Sequence, residues 1–198
     1  MKILYLSPHK RLIDFLQQNG DEVIQSVDPL TDEMLEGVDF IISYGYRRKI
    51  SKEVADRFSG RAINLHIGYL PYNRGADPNL WSFLDDTPKG VTIHYLDGNI
   101  DTGDIIAQEE VPYDIENDTL RTTYKRLSDA IEALFCRVWP EIRGGKDGEE
   151  DGVVSMPQLT YHRVGDKDAY ARLLEKGWDT PIKEILGKAK QYKGSDKA

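Results

Sequence analysis

Asn64 and His66 stand two residues apart at the end of an apolar run, Ala62-Ile63-Asn64-Leu65-His66, and Asp101 follows in the segment Asn99-Ile100-Asp101-Thr102-Gly103-Asp104. A carboxamide can donate a hydrogen bond to a developing oxyanion, an imidazole can move a proton, and a carboxylate can orient that imidazole or take the proton itself. Together these groups suit acyl transfer without a protein nucleophile. No Gly-x-Ser-x-Gly elbow accompanies them, so a serine hydrolase is disfavoured.

Such groups act only when a rigid frame holds them, and loops at strand ends are the usual place. Lys2–Leu6 reads as a buried strand, Asp21–Val27 and Val38–Tyr44 as further strands, and Val91–Leu96 as the strand that runs into the Asp101 loop. Helices are expected over His9–Asn19, closed by Gly20, and over Lys52–Phe58, capped by Ser51. A short helix is expected over Pro78–Asp85 and a further strand over Asp104–Glu109. Alternating strands and helices imply an α/β fold, a mostly parallel twisted sheet with flanking helices, binding ligands at the carboxyl ends of its strands.

From Asp118 a long helix follows, with Leu120, Tyr124, Leu127, Ile131, Leu134 and Val138 as one core-facing stripe; Pro140 and Gly144-Gly145 are expected to end or kink it. Residues 1–145 are read as one catalytic domain and 146–198 as a linker (Lys146–Asp151) with a small C-terminal extension packed on it. A strand or two over Val153–Tyr161, helices over Asp168–Glu175 and Pro181–Lys190, and a disordered tail from Tyr192 complete the expectation.

The formal charge of −8 and pI near 5.1 argue against a nucleic-acid groove. A single cysteine, Cys136, excludes a disulfide framework and a cysteine-based zinc site, and with no membrane-spanning run and no signal peptide in view the expected compartment is the cytoplasm. Asp97, Asp101, Asp104 and His94 lack a tight ligand pattern, so no metal is expected. His94, His9 and His162 are read as structural or exposed, and Cys136 as inert.

Four linked blocks carry a more specific signal: Ile63-Asn64-Leu65-His66, Leu70-Pro71-Tyr72-Asn73-Arg74-Gly75, Gly90-Val91-Thr92-Ile93-His94 and Ile100-Asp101-Thr102-Gly103-Asp104-Ile105-Ile106. In order and spacing they resemble the folate-dependent formyltransferases, with good coverage from about Val38 to Val111. The resemblance implies N10-formyltetrahydrofolate as formyl donor and Asn64, His66 and Asp101 as the catalytic set. It places the folate slot between Tyr46, Arg47, Arg48, Lys49 and Ile50 on one side and Leu96, Asp97, Gly98, Asn99 and Ile100 on the other. The Gly-rich phosphate turn of the glycinamide ribonucleotide branch is replaced by Ser7-Pro8-His9-Lys10. The His-Pro-Ser text of the methionyl-tRNA branch is replaced by His66-Ile67-Gly68, and the residues beyond the linker are too few for that branch's basic barrel.

The Pro71–Asn79 text looks most like formyltransferases of amino-sugar nucleotides and of peptide-synthetase starter modules. The expected acceptor is therefore the primary amine of a small, nucleotide-linked amino sugar used in surface-glycan synthesis. Asn73, Arg74 and Lys10 are the candidates for reaching it, and a homodimer is compatible with this reading. Formylation of an aminoacyl group on a carrier protein is the alternative acceptor reading, and a non-catalytic folate-binding module the alternative outside enzymes.

Overall fold

The computed structural model describes residues 1–145 and 160–190. The expected linker over 146–151, most of the expected 153–161 strand and the 192–198 tail lie outside the described residues. In chain order the elements are β1 (Lys2–Leu6), α1 (Ile13–Gln18), β2 (Glu22–Ser26), β3 (Phe40–Tyr44), α2 (Lys52–Arg57), β4 (Ala62–His66), β5 (Arg74–Gly75), α3 (Pro78–Leu84), β6 (Gly90–Tyr95), β7 (Ile105–Glu110), α4 (Leu120–Arg143) and β8 (Tyr161–His162). Six strands form one sheet in the order β2-β1-β3-β4-β6-β7. β2, β1, β3 and β4 run parallel, whereas β6 lies antiparallel on β4. β5 and β8 form a separate parallel pair. Among the described residues no helix is long and apolar enough to cross a membrane.

The chain divides into two compact units that do not follow chain order. Described residues Met1–His66, Thr92–Ala107 and 131–145 make the first; Ile67–Val91, Gln108–Ala130 and 160–190 make the second.

In the first unit the central strands are mostly apolar and buried, as strands covered on both faces must be, and the polar exceptions include Ser43, Asn64 and His66. Ile3, Leu4, Leu6, Ile41, Ile42 and Ile63 are completely buried. Leu4, Leu6, Leu35, Ile41, Ile50, Phe58 and Ala62 form one cluster under the sheet. Each such side chain contributes about 1.5–3 kcal/mol of burial. Ser51 caps α2 as expected, its hydroxyl accepting from the Val54 amide at 3.3 Å. α1 begins four residues later than expected, because residues 7–12 form a turn in which Ser7 Oγ accepts from the His9 amide.

Three sequence expectations about helices hold in part, with α4 ending just before Gly144-Gly145. α4 runs through Pro140 to Arg143. Proline removes one backbone donor near the helix end, and the last turns are held instead by fully buried Phe135 and Trp139. Trp139 Nε1 and Arg143 Nε both donate to the buried carboxylate of Asp21, at 3.3 and 3.0 Å. The expected stripe is buried at Leu120, Leu127, Ile131 and Leu134 but drifts at its end. A strict 4-3 spacing drifts around a 3.6-residue helix, so Val138 is only half buried while Phe135 and Trp139 enter the core. Finally, Val164–Leu174 and Ile182–Glu184 are 3-10 rather than α-helical, with an α-helical turn only at 188–190.

The second unit has its own core, in which Leu80, Trp81, Phe83 and Leu84 of α3 meet Leu120, Tyr170, Ile182 and Ile185. The described part of the C-terminal extension is thus packed into a shared core.

Asp21 ties the end of α4 to the start of β2. Asp21→Ala leaves Trp139 Nε1 and the partly buried Arg143 guanidinium without that acceptor, and the expected loss is about 2 kcal/mol. Urea unfolding checks this; an unchanged midpoint would show that α4 is held by packing alone.

Candidate active site

The antiparallel register of β4 and β6 sets Asn64 opposite His94 and His66 opposite Thr92. Paired residues on adjacent strands lie close enough for their side chains to meet. Asn64 Nδ2 stands 3.2 Å from His94 Nε2 and donates to Asp101 Oδ1 at 3.2 Å. His94 Nδ1 lies 2.8 Å from its neighbour's carbonyl, Tyr95 O. A carbonyl only accepts, so Nδ1 carries the hydrogen, and in the corresponding neutral tautomer the lone pair of Nε2 faces the Asn64 amide. The Asp101 carboxylate sits between two imidazoles, with Oδ2 3.6 Å from His66 Nδ1 and Oδ1 3.5 Å from His94 Nε2. These three side chains are 6%, 12% and 1% exposed for His66, Asp101 and His94.

The loop between β6 and β7 is built to deliver Asp101. Asp97 accepts from the Asn99 amide at 2.9 Å and from Thr102 Oγ1 at 2.7 Å, closing the turn on itself. Burial disfavours the Asp97 anion, but the hydrogen bonds from Thr102 and Asn99 outweigh it and hold the carboxyl below the usual range. The Tyr95 amide donates to Asp104 O at 2.9 Å, bringing the two ends of the loop together. At Gly103 a Cβ would lie 1.9 Å from Tyr95 O, so no side chain fits there. Asp101 itself has φ 52°, a left-handed conformation costing a non-glycine residue about 1–2 kcal/mol. The surrounding loop imposes it.

The segments expected to flank a folate slot lie in the same unit. Tyr46 and Leu96 are both half buried against the cluster containing Leu4, Leu6 and Ile41. A Cβ at Gly98 would come 2.6 Å from Lys52 Cα, so the 96–100 loop rests directly on the start of α2. Ile50 is buried in the cluster, Tyr46 Oη donates to Asp28 O at 2.6 Å, and Arg48 Nε donates to Val27 O at 3.1 Å. Arg47, Lys49, Asn99 and Ile100 are exposed, and the Asp97 carboxylate is committed within its own loop.

The three residues expected to reach the acceptor are not brought together in one unit. Lys10 is exposed on the turn after β1. Asn73 and Arg74 belong to the second unit, where Asn73 is 1% exposed and left-handed at φ 55°. Its Nδ2 donates to Thr87 Oγ1 at 2.6 Å, its amide donates to Thr160 Oγ1 at 2.7 Å, and its Oδ1 accepts from Thr160 Oγ1 at 3.3 Å. Arg74 pairs through its backbone with Tyr161 in the β5–β8 ladder.

His94 is the residue that sequence reasoning passed over. Its alternation with Val91 and Ile93 reads as a core position, and it is buried. Only its pairing with Asn64 shows that the buried face is the one carrying the polar cluster. Among the described residues, no group of three or more His, Cys, Asp or Glu is placed to hold a metal ion.

The family profile described as formyl transferase matches residues 14–139, a stretch containing Asn64, His66, His94 and Asp101. The chain belongs to the formyl transferase family. The chain is 36% identical over 151 residues to the dTDP-4-amino-4,6-dideoxyglucose formyltransferase of Mycobacterium tuberculosis, covering 69% of this chain and 63% of that relative. To the methionyl-tRNA formyltransferase of Prochlorococcus marinus it is 29% identical over 180 residues, covering 88% of this chain and 52% of that one. The chain thus spans roughly half to two thirds of these curated formyltransferases. The crystal structure of the formyltransferase PseJ from Anoxybacillus kamchatkensis superposes with a TM-score of 0.89 at 54% identity, covering 96% of this chain and all of that one. That formyltransferase was crystallised with UDP-4,6-dideoxy-4-formamido-L-AltNAc and tetrahydrofolate.

Gly103→Ala is expected to displace Asp101 by about an ångström and reduce turnover roughly 10²-fold, measured by steady-state kinetics. Because the folded Asp97 carboxyl titrates below its unfolded value, the order it gives the loop is present above about pH 4 and lost as pH falls through the folded value. Hydrogen exchange of the Asn99 amide as a function of pH checks this, and Asp97→Asn should abolish the pH dependence.

Proposed function

We propose that this protein transfers a formyl group from N10-formyltetrahydrofolate to the primary amine of a nucleotide-linked amino sugar. The observation that carries the reading is the convergence of Asn64, His66 and Asp101 on one strand exit, in a family member similar to PseJ over 96% of its length. The half-buried faces of Tyr46 and Leu96 over a continuous apolar floor, beside the backbone of the 96–100 loop, fit a flat heterocycle with a polar edge. The folate donor supplies the activated formyl group. The single cysteine and the folate chemistry suit a reducing cytoplasm.

The residues divide the work as follows. An amine that attacks a formyl carbon must lose a proton, and Asp101, held between two imidazoles, is the acceptor for it. His66, buried beside Asp101, keeps that proton in the site and can pass it to the leaving nitrogen. Asn64 serves the developing oxyanion. In the structure its amide is turned toward Asp101 and His94, both acceptors. A proton arriving on Asp101 weakens its acceptor strength and releases an Asn64 N–H for the oxyanion. One such donor is worth about 3–4 kcal/mol of transition-state stabilisation. His94 presents its lone pair to Asn64 and sets the orientation of the carboxamide.

The test is incubation with N10-formyltetrahydrofolate and a panel of UDP- and dTDP-linked amino sugars, with mass-spectrometric detection of the formamide. Formylation of charged tRNA or of an aminoacyl carrier protein, but of no sugar nucleotide, would overturn the acceptor class and leave the chemistry standing. Folate binding without turnover of any amine would overturn both. Asn64→Ala and His66→Ala are each expected to lose at least about 10²-fold in kcat while folinic acid binding survives. Near-native turnover in either variant removes that residue from the mechanism.

A further inference from the structure

The sheet of the first unit sets one more polar group on the face that carries the cluster. Ser43 of β3 pairs with Asn64 of β4, just as Asn64 pairs with His94 of β6. Register partners on neighbouring strands stand about 4.8 Å apart with their side chains on one face. Ser43, Asn64 and His94 therefore form a line across three strands. Two residues earlier on β3 the same face carries Ile41, and the partner of Ser43 on β1 is Leu6. Both belong to the apolar cluster against which Tyr46 and Leu96 pack. Ser43 thus stands where the apolar floor ends and the polar cluster begins.

Ser43 is 5% exposed. A hydroxyl so far withdrawn from water ordinarily finds a partner, yet among the described residues its Oγ makes no hydrogen bond. Its neighbour has the opposite problem. The Asn64 amide nitrogen carries two hydrogens, and its partners are Asp101 Oδ1 and His94 Nε2, each at 3.2 Å. An Asn64 N–H comes free for an oxyanion only once Asp101 has taken a proton. Charge grows on the formyl oxygen as soon as the amine attacks, before that proton has moved. A donor that is already uncommitted at that moment acts without reorganisation, and on this face the Ser43 hydroxyl is such a donor.

We propose that Ser43 is a further catalytic residue, whose hydroxyl donates to the formyl oxygen as it becomes an oxyanion. The inference rests on the formyl-transfer reading above. As the lone pair of the amine forms the new C–N bond, the π pair of the formyl carbonyl moves onto oxygen. The Ser43 O–H, and then the released Asn64 N–H, donate to it. When that pair returns, the bond from the formyl carbon to N10 breaks, and N10 leaves with the proton that the amine gave up through Asp101 and His66. Ser43 keeps its own hydrogen throughout, and no bond forms to its oxygen.

The experiment uses the intact protein, N10-formyltetrahydrofolate and the panel of UDP- and dTDP-linked amino sugars. A donor used only in the transition state moves kcat and leaves ground-state binding alone. Ser43→Ala is therefore expected to lower kcat at least about tenfold while folinic acid affinity stays within about threefold of the parent. Ser43→Thr keeps a hydroxyl and is expected to turn over at least about fivefold faster than Ser43→Val, which has the same shape and none. Hydrolysis of N10-formyltetrahydrofolate to formate and tetrahydrofolate by the enzyme puts water in place of the amine, passes through the same oxyanion and needs no acceptor. Ser43→Ala is expected to slow it by a similar factor. A kcat in Ser43→Ala within about twofold of the parent, a loss confined to folinic acid affinity, or a Val variant as fast as an active Thr variant overturns the assignment. If any of these occurs while sugar nucleotides are formylated, Ser43 is wrong and the function stands. If no amine on the panel is formylated but Ser43→Ala slows hydrolysis, the acceptor class is wrong and Ser43 stands. Neither transfer nor hydrolysis by the parent removes both.

Discussion

Everything at the candidate active site depends on the antiparallel pairing of β4 with β6 at the edge of an otherwise parallel run. A parallel neighbour would have required another crossover and would have set a different residue opposite Asn64. The observed register sets His94 against it, within hydrogen-bonding distance. It also starts the return loop beside that pair, so that the loop can bring Asp101 back to within 3.2 Å of the same amide. One backbone ladder therefore organises a carboxamide, two imidazoles and a carboxylate.

Such a cluster is costly to bury. Polar groups withdrawn from water lose several kcal/mol unless they find partners, and here Asn64, His94 and Asp101 find them in one another or in the backbone. His94 is anchored to Tyr95 O, and Asn64 bridges His94 and Asp101. The Asp101 backbone sits in a sparsely populated conformation, held by a loop whose Asp97 carboxylate fastens the turn and whose Gly103 admits no side chain. Strain at Asp101, imposed by well-satisfied neighbours, keeps its carboxylate beside Asn64 and His66.

The second unit is organised by a different kind of polar packing. His162 stacks flat on Trp81, with ring centres 3.7 Å apart and 2° between planes, and its Nε2 lies 2.8 Å from Asp85 Oδ2. Asn73 is enclosed between Thr87 and Thr160. Both arrangements join residues before β6 to residues beyond 159, which explains why the C-terminal segment cannot be a loose appendage.

Residue types and spacing by themselves pointed to the family and to a candidate catalytic set. Asn64, His66 and Asp101 were legible because the groups needed for acyl transfer are few and stand at strand exits, and the surrounding blocks fixed the family. Strand positions were legible too, since a buried strand is a short apolar run bounded by breakers. Helix detail was less so: the drift between a 3.5- and a 3.6-residue repeat hid Phe135 and Trp139, and the Asp21 interactions that carry α4 past Pro140 come from residues over a hundred positions away. His94's place in the cluster could be recognised only in three dimensions. A buried histidine on an alternating strand looks structural in the chain. What distinguishes it is the partner the fold sets beside it, the Asn64 carboxamide. Pairing register is a contact between distant segments, and no local pattern of residues encodes it.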